Sequence, residues 1–165
     1  MISGKKVTAI ILVAGNSTRY GQNRNKNFEI VNGKAVLSYS FKQFDTNKYV
    51  DDIIIAAKQD EIDTVKEILK QENPNKEFKV VIGGNTRAES VYNCIKATDL
   101  EIVIIHDGAR AAVKQEYIDK CIESMEEYKG VTIGVKSKDT IKITDHNGIV
   151  TTSTNRNNTW VIQTP

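Results

Sequence analysis

Blocks of β-branched residues alternate along this chain with segments of helical period. Residues 7–13 form the first block, built on Val7, Ile10, Ile11 and Val13. Residues 36–44 place Val36, Leu37, Ser40, Phe41 and Phe44 at the spacing of one helix face. Residues 52–57 hold Ile53, Ile54 and Ile55 in a row, as a strand buried on both faces does. Residues 61–71 carry Ile62, Val65, Ile68 and Leu69 on one stripe. A third apolar block covers 78–82. Residues 87–97 then turn Ala88, Val91, Cys94 and Ile95 inward. A fourth block covers 101–106. Residues 115–128 turn Ile118, Cys121, Ile122 and Met125 inward, and a fifth block covers 131–135. This alternation predicts a three-layer, Rossmann-like α/β fold: a mainly parallel sheet with helices on both faces.

The pattern changes after Val135. Residues 140–144 and 148–153 are polar and β-rich, joined by Asp145-His146-Asn147-Gly148. Asn-Gly between two such runs signals a hairpin. The sequence therefore predicts a protruding β-arm at about 136–159 that leaves the sheet after Lys138 and returns near Trp160. A two-stranded arm is marginal alone, so docking on a second subunit is expected. No repeat or linker interrupts the chain, and 1–165 reads as one domain.

Composition narrows the function classes. The formal net charge is +2, which gives no footing for a nucleic-acid binder. Cys94 and Cys121 lack zinc-ligand spacing and fall on apolar helix faces; they read as buried thiols of a reducing cytoplasm. Lys5 and Lys6 before an apolar run imitate a secretory signal, but the run is β-branched and no small-x-small cleavage pattern follows. No segment approaches the ~18 apolar residues of a membrane span.

In a parallel α/β sheet, ligands bind beyond the carboxyl ends of the strands, so the residues after each apolar block are the informative ones. After the first block come Ala14-Gly15-Asn16-Ser17-Thr18-Arg19-Tyr20-Gly21 and then Lys26. Small residues let backbone amides approach a phosphate, and the two cations bring charge. Neither a Walker A loop nor a dinucleotide fingerprint is present. The alternative is a glycine turn with solvated cations. After the third block come Gly83-Gly84-Asn85-Thr86-Arg87-Ala88-Glu89-Ser90. Asn85 and Ser90 suit directional bonds to a base edge, and the same stretch also reads as a helix cap, with Glu89 three residues beyond Thr86. After the fourth come His106-Asp107-Gly108-Ala109-Arg110. An acid beside an arginine suits a metal–triphosphate, and His106 reads as a packed residue rather than a base. Beyond the fifth block lie Asp139-Thr140-Ile141-Lys142, Asn155-Arg156 and Trp160-Val161-Ile162-Gln163-Thr164-Pro165. No nucleophile elbow occurs, so the chemistry indicated is phosphate positioning and charge neutralisation.

Taken in this order and spacing, these motifs resemble the bacterial cytidylyltransferases that act on 2-C-methyl-D-erythritol 4-phosphate in the non-mevalonate isoprenoid pathway. The resemblance covers essentially the whole chain. It implies a nucleotidyltransferase fold, CTP and a polyol phosphate as substrates, Mg2+ as cofactor and a cytoplasmic homodimer formed through the β-arm. By position, Arg19 and Lys26 match residues that stabilise the transition state. Ala14, Gly15 and Ser17 match the triphosphate cradle, and Gly84, Asn85 and Ser90 match cytosine contacts. Asp107, Gly108 and Arg110 match nucleotide and substrate contacts, with Asp107 also a candidate for the Mg2+ that the CTP phosphates mainly hold. Thr140 and Arg156 match residues that reach the polyol phosphate across the dimer interface, and Thr164 matches a further substrate contact.

The chain departs from the family pattern at Val13, at Ser17, at Asn25-Lys26-Asn27 in place of Pro-Lys-Gln, and at Ala111-Ala112 in place of Pro-Phe. It also stops at Pro165, where the resemblance implies a further segment with an Asn-Ile-Lys motif, so the sequence reads as incomplete. Two other readings stand beside this one: the same chemistry on ribitol 5-phosphate, and a non-catalytic nucleotide-binding or dimerisation module.

Overall fold

The computed structural model describes residues 1–15, 25–99 and 101–165. It divides the chain into two compact units, Met1–Val131 (with Pro165) and Thr132–Thr164.

The first unit runs β1 (Val7–Leu12), β2 (Ile30–Val31), β3 (Lys34–Ala35), α1 (Val36–Asp45), β4 (Asp52–Ala57), α2 (Ile62–Gln71), β5 (Phe78–Ile82), α3 (Arg87–Lys96), β6 (Ile102–Asp107) and α4 (Gln115–Ser124). Four strands form one sheet in the order β5-β4-β1-β6, every pair parallel. Ala9 of β1 faces Ile53 on one side and Ile104 on the other. β1 is thus central, and its residues from Val7 to Ile11 are all buried. That is why its sequence is a continuous apolar run rather than an alternation.

Helices cover both faces. On one, Phe41 of α1 meets the Phe78 ring edge-on at 5.6 Å, and Phe44 tilts against His106 of β6 at 5.1 Å. Phe41 and Phe44 are fully buried, each worth about 2–3 kcal/mol of burial. On the other face, Cys94 of α3 packs with Ile10, Ile54 and Ala56. α3 starts where the sequence indicates because the Thr86 hydroxyl accepts from the Glu89 amide at 3.1 Å.

Three features differ from the sequence reading. A tight β2–β3 hairpin, absent from it, turns on Asn32 and Gly33, both in the left-handed region at φ 49° and 80°. Each of its strands has two residues, too short for a periodicity signal. α4 stops at Ser124 rather than Tyr128: Glu126 and Glu127 bond back only three residues, to Glu123 and Ser124. Two acids at the negative end of a helix dipole oppose its continuation. The fifth block does not extend the parallel sheet. Its strand, β7 (Gly134–Lys136), lies in the second unit and pairs antiparallel with β10 (Trp160–Ile162), Val135 opposite Val161. A short apolar run specifies a strand but not its partner.

The second unit also contains the expected hairpin, β8 (Lys142–Thr144) against β9 (Val150–Ser153). Asp145 closes its turn: its carboxylate accepts from the Asn147 and Ile149 amides at 2.9 Å each, and Gly148 takes φ 82°. Among the described residues, no helix is long and apolar enough to cross a membrane.

Candidate functional site

Because β1, β4, β5 and β6 are parallel, their carboxyl ends share one edge of the sheet, and the loops that leave them meet there. Val13 donates to the Ala56 carbonyl at 2.8 Å, Gly83 to Ala57 at 2.8 Å and Gly108 to Leu12 at 2.9 Å. Two of these glycines are sterically required. A Cβ on Gly83 would lie 2.4 Å from the Ala14 Cβ. One on Gly108 would meet Asn27 Oδ1 at 2.8 Å and the Leu12 carbonyl at 3.1 Å. Ala14 is half-buried there and Gly15 is exposed; among the described residues, nothing lies within 4 Å of a Cβ built on Gly15.

Lys26 begins a 3-10 turn, Lys26–Phe28. It is exposed, while Asn25 and Asn27 on either side are buried. Asn25 Oδ1 accepts from the Asn27 amide at 3.1 Å, and Asn25 Nδ2 donates to the Val13 carbonyl at 2.9 Å. The turn is thereby tied to the end of β1, with the lysine held on the outside.

In the loop after β5, Ser90 is buried and organises the backbone. Its hydroxyl accepts from Gly84 N and donates to the Thr86 carbonyl, both at 3.0 Å. Glu89 Oε2 accepts from Asn85 N at 2.7 Å. The capping interpretation of this stretch is therefore realised, one residue out of the usual register: the Glu89 carboxylate takes the amide before the cap.

At the end of β6, the Asp107 carboxylate lies between two arginines. Oδ1 accepts from Arg87 Nε and Nη2 at 3.2 Å each, and Oδ2 accepts from Arg110 Nε at 3.1 Å. All three side chains are about a third exposed or more, so these pairs hold with little energy and are open to exchange for a ligand. His106 is fully buried, and burial pushes its pKa below the ordinary value. Its Nε2 lies 3.1 Å from the Arg110 carbonyl. That oxygen only accepts, so Nε2 carries the proton and the ring braces the turn that presents Arg110. The packed role expected for His106 is the one observed.

Ser17 and Arg19 lie outside the described residues. Thr140, Arg156 and Thr164 belong to the second unit. Thr140 and Arg156 are exposed and Thr164 is half-buried. Arg156 opens a second 3-10 turn, Arg156–Asn158, capped by Asn155. Sequence reasoning assigned no role to four contributing residues. Arg87 binds Asp107, Ser40 donates from full burial to the Gly108 carbonyl at 2.7 Å, and the two asparagines flank Lys26. Only the Asn-Lys-Asn spelling offered a signal.

The chain matches known proteins along most of its length. A family model described as IspD, 2-C-methyl-D-erythritol 4-phosphate cytidylyltransferase, matches residues 7–165. A 2-C-methyl-D-erythritol 4-phosphate cytidylyltransferase of Caldanaerobacter subterraneus is 41% identical, across 96% of this chain and 71% of its own length. One from Lachnoclostridium phytofermentans is 43% identical, across 98% and 70%. The crystal structure of 4-diphosphocytidyl-2C-methyl-D-erythritol synthase from Anaerococcus prevotii superposes with a TM-score of 0.85 at 33% identity, over 99% of this chain and 70% of that one.

Proposed function

We infer that this chain, which belongs to the 2-C-methyl-D-erythritol 4-phosphate cytidylyltransferase family, joins CTP to 2-C-methyl-D-erythritol 4-phosphate with release of pyrophosphate. A phosphate oxygen of the polyol attacks the α-phosphorus of CTP in line. A new P–O bond forms there, and the bond to the β-phosphate oxygen breaks with its electron pair going to pyrophosphate. A phosphate monoester has its second pKa at about 6, so the nucleophile is already ionised at neutral pH and needs no base. The barrier is the approach of anions and the growth of charge on the transferring group, which fixed cations counter.

The observation that carries this reading is Lys26, exposed on a turn tied to β1, at the strand edge where Gly83-Gly84 and Asp107-Gly108 converge. In this reading Lys26 and Arg19 stabilise the transition state. Ala14, Gly15 and Ser17 receive the triphosphate. Gly84, Asn85, Ser90, Asp107 and Gly108 hold the nucleotide. Arg110, Thr140, Arg156 and Thr164 serve the polyol phosphate.

Among the described residues, no three His, Cys, Asp or Glu side chains gather as a metal cage, and both Asp107 oxygens accept from arginines. This donor set fits Mg2+ brought in on the CTP triphosphate, which the Asp107 carboxylate would help to hold, and does not fit a cation the chain holds alone. When bound, Mg2+ supplies charge neutralisation on the phosphates.

In this reading the chain forms a homodimer through the segment at about 136–159, supported by exposed apolar side chains on its hairpin, Ile143, Ile149 and Val150 among them. A cytoplasmic location suits the nucleotide substrate and the buried free thiols; burial pushes Cys94 up to about 12. The test is pyrophosphate release with methylerythritol phosphate across CTP, UTP, ATP and GTP, with and without Mg2+. Release confined to CTP with Mg2+ supports the reading, and equal use of all four nucleotides contradicts it.

A further inference from the structure

We propose that Asn25 and Asn155 are positioning residues, each seating the cation that follows it, Lys26 and Arg156, on an identical capped 3-10 turn. The inference rests on the roles assigned above to those two cations.

The two turns share their cap bond and their backbone bonds. Asn25 has φ −73° and ψ 114°, and Asn155 has φ −75° and ψ 115°. Each asparagine side chain accepts from the amide two residues on, Asn27 at 3.1 Å and Asn157 at 3.0 Å. Each asparagine carbonyl accepts from the amide three residues on, Phe28 at 2.9 Å and Asn158 at 3.0 Å. The cation carbonyls do the same, Lys26 from Glu29 and Arg156 from Thr159, both at 3.4 Å. In both turns the cation is exposed and a second asparagine follows it.

A long cationic side chain loses much rotamer freedom when it engages an anion. Fixing its Cα in advance reduces what remains to be ordered. The seat under Lys26 is the deeper one. Asn25 Nδ2 donates to the Val13 carbonyl at 2.9 Å and to Glu61 Oε2 at 2.8 Å, and Asn25 Oδ1 also accepts from Asn27 Nδ2 at 2.7 Å. On the far side, Asn27 Oδ1 is buried, has no hydrogen-bond partner among the described residues and abuts Gly108.

Proline separates positioning from general structural support. Both asparagines hold φ in the range that proline fixes. Proline keeps that restraint but loses every side-chain bond, whereas alanine loses both.

The experiment measures kcat, KM for each substrate and Tm for the full chain and for Asn25→Ala, Asn25→Pro, Asn155→Ala and Asn155→Pro, with Lys26→Ala as control. Asn25→Ala is expected to lower kcat by about 100-fold while KM for CTP stays within about threefold. Asn25→Pro is expected to recover at least about tenfold of that loss at the Tm of the alanine variant. Asn155 is exposed, so its variants fold; Asn155→Ala is expected to raise KM for the polyol phosphate about tenfold, and Asn155→Pro to restore it. Proline variants as impaired as the alanine ones, or alanine variants with wild-type kinetics, overturn the proposal.

Wild-type turnover in Lys26→Ala overturns the role of Lys26 instead. Amide exchange then decides the seat: the Asn157 amide should exchange about tenfold faster in Asn155→Ala than in the wild type. Equal rates overturn the proposal whatever the kinetics.

Discussion

A Cβ built on Gly83 would lie 2.4 Å from the Cβ of Ala14, so the turn after β5 and the loop after β1 touch with no room for a methyl group. Gly83→Ala should therefore push the two loops apart. The expected cost is about 1–3 kcal/mol of stability, with weaker CTP binding. Gly130→Ala, where no described residue lies within 4 Å of the added Cβ, should change stability by less than about 0.5 kcal/mol. Denaturant titration and CTP calorimetry on the two variants check this.

Lys26→Ala should lower kcat by about 100- to 1,000-fold. Its side chain is exposed, so the thermal midpoint should move little. Steady-state kinetics and a melting curve on the same preparation separate the two effects. Wild-type turnover would remove Lys26 from the mechanism.

Arg156→Ala should raise KM for the polyol phosphate by about 10- to 100-fold, the worth of one charge-assisted bond. CTP affinity measured by calorimetry should not change. Loss of CTP affinity would move Arg156 to the nucleotide side.

Burial holds His106 neutral, with its pKa below the ordinary value near 6.5. Below that value the unfolded chain binds a proton that the folded chain refuses. The contribution of His106 is therefore fully present above about pH 6.5 and declines as pH falls towards the folded pKa. Between pH 7.5 and 5.5 the wild type should lose stability, and His106→Gln should lose less over the same range. Parallel slopes in urea titrations would contradict this.

Much of the fold is legible in the sequence because each layer has its own period. Ile53, Ile54 and Ile55 in a row require burial on both sides, and Thr86 with Glu89 marks the start of α3. What is not legible depends on pairing across distance. Residues 131–135 specify a strand, yet Val135 finds its partner at Val161 rather than in the parallel sheet. The site divides in the same way. Lys26 and Asp107 stand out as charges after apolar blocks. Ser40, bonded to a carbonyl 68 residues away, and Arg87, bonded to Asp107 20 residues away, carry no local mark. The Asn25 seat depends on Val13 and Glu61, which only the folded chain brings together.

The most direct test of the account is phosphorus NMR of the product formed from CTP and Mg2+ with 2-C-methyl-D-erythritol 4-phosphate, with ribitol 5-phosphate run in parallel. A diphosphate diester and stoichiometric pyrophosphate are expected from the methylerythritol substrate, at a rate well above that with ribitol phosphate. Turnover confined to ribitol phosphate, or CTP hydrolysis with no diester formed, would contradict it.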